Sequence, residues 1–221
     1  MVWVNFPKRI QLKIKMELSN MFKKILLCLG VIIFVSGCKS TLMQPSQEPL
    51  SINAPTDKAQ MIFMRSAFTG QAIQASVFDV TSGTPEFIGI VSNDTKVAYT
   101  VEPGERMFMV VGESADFLKA DMLANKTYFS VVSPRMGFWK ARFSMHPVRH
   151  QGKDGKFTYE SKEFKKIDAN TSLVVAGDAA LSWAKENLGS IKAKLSKYLP
   201  AWKEKEEHKQ KQATVNKDDH I

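Results

Sequence analysis

Between positions 58 and 175 the chain alternates short apolar runs with polar turn clusters. The runs occupy 59–65 (AQMIFMR), 73–80, 87–91, 96–101, 106–112, 127–133, 138–147 and 157–164. In 73–80, Ile73, Ala75 and Val77 fall on one face of an extended chain. Turns are predicted at 81–85, 92–95, 102–105 and 152–155, each holding Gly, Pro, Asn or Asp. Pro103-Gly104 suits a type II turn, because Gly adopts positive φ without steric cost. Strands this short, with no helical period between them, predict a mainly β fold: an antiparallel β-sandwich of about seven or eight strands over 58–175.

The pattern changes at 178. Leu181, Ala184, Leu188, Ile191, Leu195 and Tyr198 recur at steps of three and four, with Lys185, Glu186, Lys192, Lys194 and Lys197 between them. This is a C-terminal amphipathic helix with a heptad-like stripe. Asp178 is its expected N-cap, and Pro200 is expected to end or kink it. A short polar helix over 202–212 completes the helical segment 178–212, and a disordered tail is expected over 213–221. The stripe of Leu181, Leu188, Ile191, Leu195 and Tyr198 has three readings. It packs back on the sheets, it forms a seam with another chain, or it lies on a membrane or anionic polymer. Three heptads, one carrying Ala184, make a weak solitary coiled coil, so intramolecular docking leads.

Upstream, Met21, Lys23 and Lys24 head an apolar run from Ile25 to Val35, and small residues follow before Cys38. A basic head, a short apolar run and a small-residue exit describe an export signal over 1–37. The run is shorter than the ~20 residues a membrane-spanning helix needs, which disfavours a transmembrane anchor. Residues 1–20 add Lys8, Arg9, Lys13 and Lys15. They read either as a basic extension or as sequence ahead of a true start at Met16 or Met21. Val35-Ser36-Gly37-Cys38 resembles the lipobox of bacterial lipoproteins, with Val in place of the usual Leu. The resemblance implies cleavage before Cys38 and acyl chains on that residue. Two or more such chains hold stably in a bilayer where one does not. Lys39 stands where inner-membrane lipoproteins of this type carry Asp, so the family rule implies the outer membrane, on its periplasmic face. Residues 38–57, with Pro45, Pro49 and Pro55, read as a lipid-anchored flexible linker. Extended at ~3.1 Å per residue, it would hold the domain up to about 50–60 Å from the lipid.

Charge changes the picture less than the total suggests. The chain carries +9, but six of its 31 basic residues and one of its 22 acidic residues precede Cys38, leaving +4 for the remainder. With an address outside the cytosol, that disfavours nucleic acid as a partner. Cys28 lies within the apolar run, so the processed chain keeps a single cysteine and no internal disulfide.

The first strand ending in Arg65, the phrase Val101-Glu-Pro-Gly104, the approach from Leu123 to Phe129 and the stretch from Arg135 to Trp139 are similar to an uncharacterised β-sandwich domain of bacterial lipoproteins. In outline that domain is transthyretin-like or carboxypeptidase-regulatory-like. The resemblance covers about 55–148, and its motifs are structural, so it implies a fold and no catalytic residues. Asn125 stands where Gly is common, which implies a left-handed backbone that Asn tolerates.

The sequence offers no Gly-x-Ser-x-Gly elbow, phosphate-binding loop or His-Glu-x-x-His motif. His146 and His150 would stand about 13 Å apart on a strand, too far to share a metal. Ser114 lies between Glu113 and Asp116 without a base nearby. No cofactor, no metal and no catalytic site is therefore expected. Arg135, Trp139, Lys140 and Arg142 could form a patch for an anionic glycan or headgroup, since Arg supplies forked donors and Trp supplies stacking. Equally, Trp139 points inward while Lys140 and Arg142 form an ordinary wet strand face. The expectation is a lipid-anchored envelope protein with a non-catalytic binding or structural domain. Adaptor in an envelope or secretion complex, through the helix stripe, is the alternative, and cell-wall or carbohydrate hydrolase is less favoured.

Overall fold

The computed structural model describes residues 41–135, 142–150 and 157–221, together with Glu17 and Met21. The chain divides into two units, Met1–Ser40 and Thr41–Ile221. Glu17 and Met21 are the described residues of the first, and both are exposed. The lipobox residues Val35, Ser36, Gly37 and Cys38, and Trp139 and Lys140 of the basic–aromatic patch, lie outside the described residues.

In the second unit the strands are β1 (Met43–Pro45), β2 (Ala59–Arg65), β3 (Ala75–Asp79), β4 (Glu86–Val91), β5 (Thr95–Val101), β6 (Gly104–Val111), β7 (Ala115–Met122), β8 (Lys126–Arg135) and β9 (Arg142–Arg149). There follow β10 (Phe157–Thr158), α1 (Lys162–Asn170), β11 (Ser172–Ala176), α2 (Asp178–Lys203), α3 (Glu207–Gln212) and β12 (Thr214–Val215). They form a seven-stranded sheet in the order β1-β11-β5-β2-β8-β9-β10 and a five-stranded sheet in the order β12-β7-β6-β3-β4. The fold is mainly β, but the sheets are mixed rather than antiparallel throughout. β2 runs parallel to β8, β11 to β5, β10 to β9 and β12 to β7. Strands of both sheets intervene between β2 and β8, so a hairpin does not set their relative direction.

Side-chain alternation along each strand feeds three cores. Met61 and Phe63 of β2, Val77 of β3, Phe108 and Val110 of β6 and Leu118 of β7 meet between the sheets. Ile62 and Met64 of β2 point the other way, with Phe129 and Val131 of β8, under Phe164 and Ile167 of α1. Phe78, Met109 and Phe117 lie on the outer face of the five-stranded sheet, under Ile191, Leu195 and Trp202 of α2. The arrangement is therefore helix, sheet, sheet, helix. Among the described residues no helix is long and apolar enough to cross a membrane.

Several boundaries differ from the sequence expectation. The flexible linker contains β1: Met43 is buried in the core between the sheets, and its sulfur lies 3.3 Å from the Ile90 amide. The run 157–164 is strand only at Phe157 and Thr158, after which Ser161 caps α1 by accepting from the Phe164 amide at 3.3 Å. Strand β7 occupies a stretch whose start reads as loop in the sequence. Gly177, not Asp178, is the residue before α2. The Gln44 side chain fills the space where a Cβ at Gly177 would stand. Pro200 lies inside α2, which runs on to Lys203.

The tail, expected to be disordered, is held by polar contacts. Buried Arg149 pairs with buried Asp219 at 2.8 Å and donates to the Lys211 and Thr214 carbonyls at 2.9 and 2.8 Å. Tyr128 donates to the Lys217 carbonyl at 2.9 Å, Tyr159 to the Asp219 carbonyl at 3.0 Å, and the Ile221 amide to Thr127 at 2.9 Å. His220 sits in this clasp with its ring edge-on to Tyr128.

Docking of α2 uses a face slightly offset from the expected stripe. Ala180, Ala184, Ile191, Leu195 and Trp202 are buried, Leu188 and Tyr198 are half-buried, and Leu181 is 52% exposed. Leu195→Ala should cost about 2–4 kcal/mol as a cavity under α2, whereas Leu181→Ala should stay within about 0.5 kcal/mol. Urea unfolding of the two variants checks this.

Burial, Lys126 and His150 lower the His220 pKa, in that order, while Asp218 works in the opposite sense. A folded-state value below the ordinary ~6.5 means the unfolded chain takes up the proton first, so stability present above that pH is lost as pH falls through the folded value. The native protein should therefore lose stability relative to His220→Gln between pH 8 and pH 5.5, read as the difference in urea midpoints.

Candidate functional site

The end of the fold at which β2 stops is built around one side chain. Arg65 closes an apolar strand and is 0% exposed. Its guanidinium donates to the Ile73 carbonyl at 2.5 Å and to the Gly70 carbonyl, and stacks 4.8 Å from the Phe143 ring centre. Burial pushes its pKa below the ordinary arginine value, while Asp94 pulls it back up. Arginine retains its proton under such shifts, so its fork stays a donor. Arg65 thereby pins the loop 66–74 across the end of the sheets.

A second turn holds the other side of that loop. Asp94 adopts φ +58. Its Oδ1 accepts from Ser66 at 2.7 Å, and Asn93 Oδ1 accepts from the Ala67 amide at 2.7 Å. Short polar side chains accept the left-handed conformation and can bond to a neighbouring backbone, which is why Asn and Asp occupy this turn. Thr41 joins the same turn, its hydroxyl accepting from Ser92 at 3.2 Å. Phe68, at the head of the loop, is 94% exposed.

Two clefts flank the loop. One, of about 390 Å³, lies toward α1 and is lined by Phe68, Gln71, Asn93, Phe157, Lys166 and Ile167. The other, of about 350 Å³, lies toward α2, where Ile73, Val111 and Trp183 supply an apolar wall and Gln74, Asn187 and Lys194 supply polar groups. Both can take an amphipathic ligand: each has apolar surface for contact and a lysine for a negative group.

Of the expected patch, Arg135 and Arg142 are described. They are direct cross-strand partners at the end of the β8–β9 pair, beside the same loop. Arg135 lies 3.5 Å from Asp116, whose other oxygen is 3.0 Å from Lys205 and which also accepts from Ser144 at 2.8 Å. The acid beside Ser114 is thus engaged by two cations and a hydroxyl. Of the expected helix interface, Ile191 and Leu195 are covered by the five-stranded sheet, Tyr198 packs partly against the same core, and Leu181 and Leu188 are not brought into its centre.

Among the described residues, no three His, Cys, Asp or Glu side chains are grouped to hold a metal ion. Arg65, Phe68 and Trp183 are absent from the sequence-derived candidates. For Arg65 a signal existed: a cation ending an otherwise apolar, fully buried strand must find acceptors inside the fold. Phe68 carries none, because its exposure depends on the hold that Arg65 and Asn93 exert on its neighbours.

No protein-family model matches the chain, and no curated protein is similar to it.

Arg65→Met keeps much of the apolar stem but removes the guanidinium donor from the Ile73 carbonyl and leaves the Gly70 carbonyl with the Ile73 amide alone. It should cost about 1–3 kcal/mol and selectively speed amide hydrogen exchange across 66–74. Exchange measured by mass spectrometry checks the location, and urea unfolding the magnitude.

Proposed function

We propose that this chain is a lipid-anchored envelope protein whose folded part is a non-catalytic, sandwich-type binding module working at the end of the sheets organised by Arg65. Cys38 is the anchor, preceded by the lipobox-like Val35-Ser36-Gly37 and followed by Lys39, which favours the outer membrane. The observation that carries the reading is the position of Thr41. It stands three residues after Cys38 and is bonded to Ser92, while Met43 is buried. The folded body therefore begins by Thr41 rather than after 57, and three peptide links separate Thr41 from Cys38.

Binding rather than catalysis is favoured by what lines the two clefts: aromatic and aliphatic walls with amides, one lysine each and few carboxylates, Glu113 in one and Asp94 and Glu163 in the other, with no histidine or cysteine beside them among the described residues. The adaptor alternative loses its main support, since Ile191 and Leu195 are already covered by sheet. A partner would have to use other surfaces.

In a Gram-negative host the native chain should yield an N-terminal Cys38 peptide carrying a diacylglyceryl group and an amide-linked acyl chain, and it should partition into detergent. Cys38→Ser should remain unacylated and partition into water. Mass spectrometry showing an intact leader and a bare thiol at Cys38 would overturn the proposal.

A further inference from the structure

We infer that the end of the fold bearing the loop 66–74 is the face the anchored module lays on the bilayer, with Phe68 entering the headgroup region of an anionic lipid surface. This rests on the reading of Cys38 as the lipid attachment point.

Three observations converge on this face. The first is chain reach. Three peptide links separate Cys38 from Thr41, so their Cα atoms are at most about 11 Å apart. Thr41 is bonded to Ser92, and the next residues of that turn, Asn93 and Asp94, hold Ala67 and Ser66. The anchor point is thus tied to the turn that carries the Phe68 loop.

The second is Phe68 itself. Burying a side chain of this size is favourable, yet Phe68 is 94% exposed on a loop pinned from both sides. Its pinned neighbours keep it from folding back into either core. An aromatic ring held outward beside a lipid attachment point regains that free energy at the acyl–headgroup boundary.

The third is charge. Gly70 lies against Pro134: a methyl group placed on it would stand 3.6 Å from the proline Cβ. Arg135 follows Pro134, and Arg142 faces Arg135 directly across the pair. Like charges opposite each other repel. Asp116 offsets one of them, shared with Lys205. An anionic surface relieves what remains by attracting the basic residues near it. The acidic groups of this end include Asp94, which is occupied by Ser66 and Asn93, and Glu113 and Glu163, which lie in the walls of the flanking clefts.

The processed chain has one cysteine, which the anchor uses, so an introduced thiol can be labelled alone. The lipidated chain carrying Thr69→Cys, spin-labelled next to an intact Phe68, is reconstituted into phosphatidylethanolamine vesicles containing phosphatidylglycerol. Vesicle flotation reports anchoring, and power saturation with oxygen and a water-soluble nickel chelate reports depth. A label at Leu123→Cys, beyond the opposite end of β2, is the reference.

The label at 69 should gain oxygen contact and lose nickel contact severalfold relative to the label at 123. Phe68→Ser should abolish that difference, and Arg142→Glu should reduce it. A chain that floats but shows both labels equally open to nickel overturns this inference and leaves the anchor intact. A label at 69 shielded from oxygen and nickel alike, in vesicles holding the protein alone, identifies a second copy as the occupant and also overturns it. Failure to float overturns the anchor reading and this inference with it.

Discussion

Strand β2 has protein on both sides. All its residues are buried, and alternate side chains enter different cores, Met61 and Phe63 between the sheets and Ile62 and Met64 beneath α1. The five-stranded sheet obeys the same rule, with Phe108 and Val110 facing inward and Met109 and Val111 facing α2. Two sheets that are apolar on all four faces need a cover on each outer face. Without α2, Phe78, Met109 and Phe117 would meet water, at about 1.5–3 kcal/mol for each large side chain. The helices are therefore integral layers of the fold. Strand β12 closes it further by running along β7, and the chain after it bonds at Thr127 of β8.

That double burial explains what could be read in the sequence. Within 59–65 the residues Met61 to Met64 are apolar in succession rather than alternating, as a strand covered on both faces should be, and the bounds of the run coincide with β2. Turn chemistry was equally legible: Gly104 has φ +112, Gly83 +82 and Asn125 +61. Strand β7 was hidden because Asp116, Lys119 and Asp121 break its apolar pattern, and the partners that make Asp116 tolerable come from β8, β9 and the segment after α2. Helix α1 was hidden because nine residues bury just Phe164 and Ile167. The stripe on α2 was displaced because a hydropathy reading favours Leu181 over Ala180. In the fold the small side chain lies against the core and the large one faces out.

The tail shows a different limit. Its attachment is polar, through Asp219, backbone carbonyls and tyrosine hydroxyls, and no apolar period announces it. Two buried arginines terminate strands at opposite ends of the seven-stranded sheet, and each fixes an irregular segment. Arg65 donates to carbonyls of the loop 66–74, while Arg149 donates to carbonyls on either side of β12's start and to Asp219. A planar fork with five donors can hold several oxygens at once, which lysine cannot. Interior arginines are thus the means by which this fold orders chain segments that lack apolar side chains of their own.

Order in the segment after Cys38 also decides what kind of object the proposed anchor holds. A body on a tether of about 50–60 Å samples many orientations, and its contacts are set by diffusion within a hemisphere. On the proposed reading, three peptide links separate an anchor at Cys38 from Thr41, which is bonded to Ser92, so the body would take fewer poses against a lipid surface. Confinement of this kind raises the effective concentration of one face at the bilayer, so weak groups suffice there: one phenylalanine and two arginines need not bind a membrane unaided. The same confinement limits the ligands of the flanking clefts, since both open beside the loop that carries Phe68. On the proposed anchoring, what enters them would have to be reachable at the membrane surface. Amphipathic molecules are the class that concentrates there, and clefts with apolar walls beside a lysine and a carboxylate would suit them better than a soluble, uniformly polar glycan.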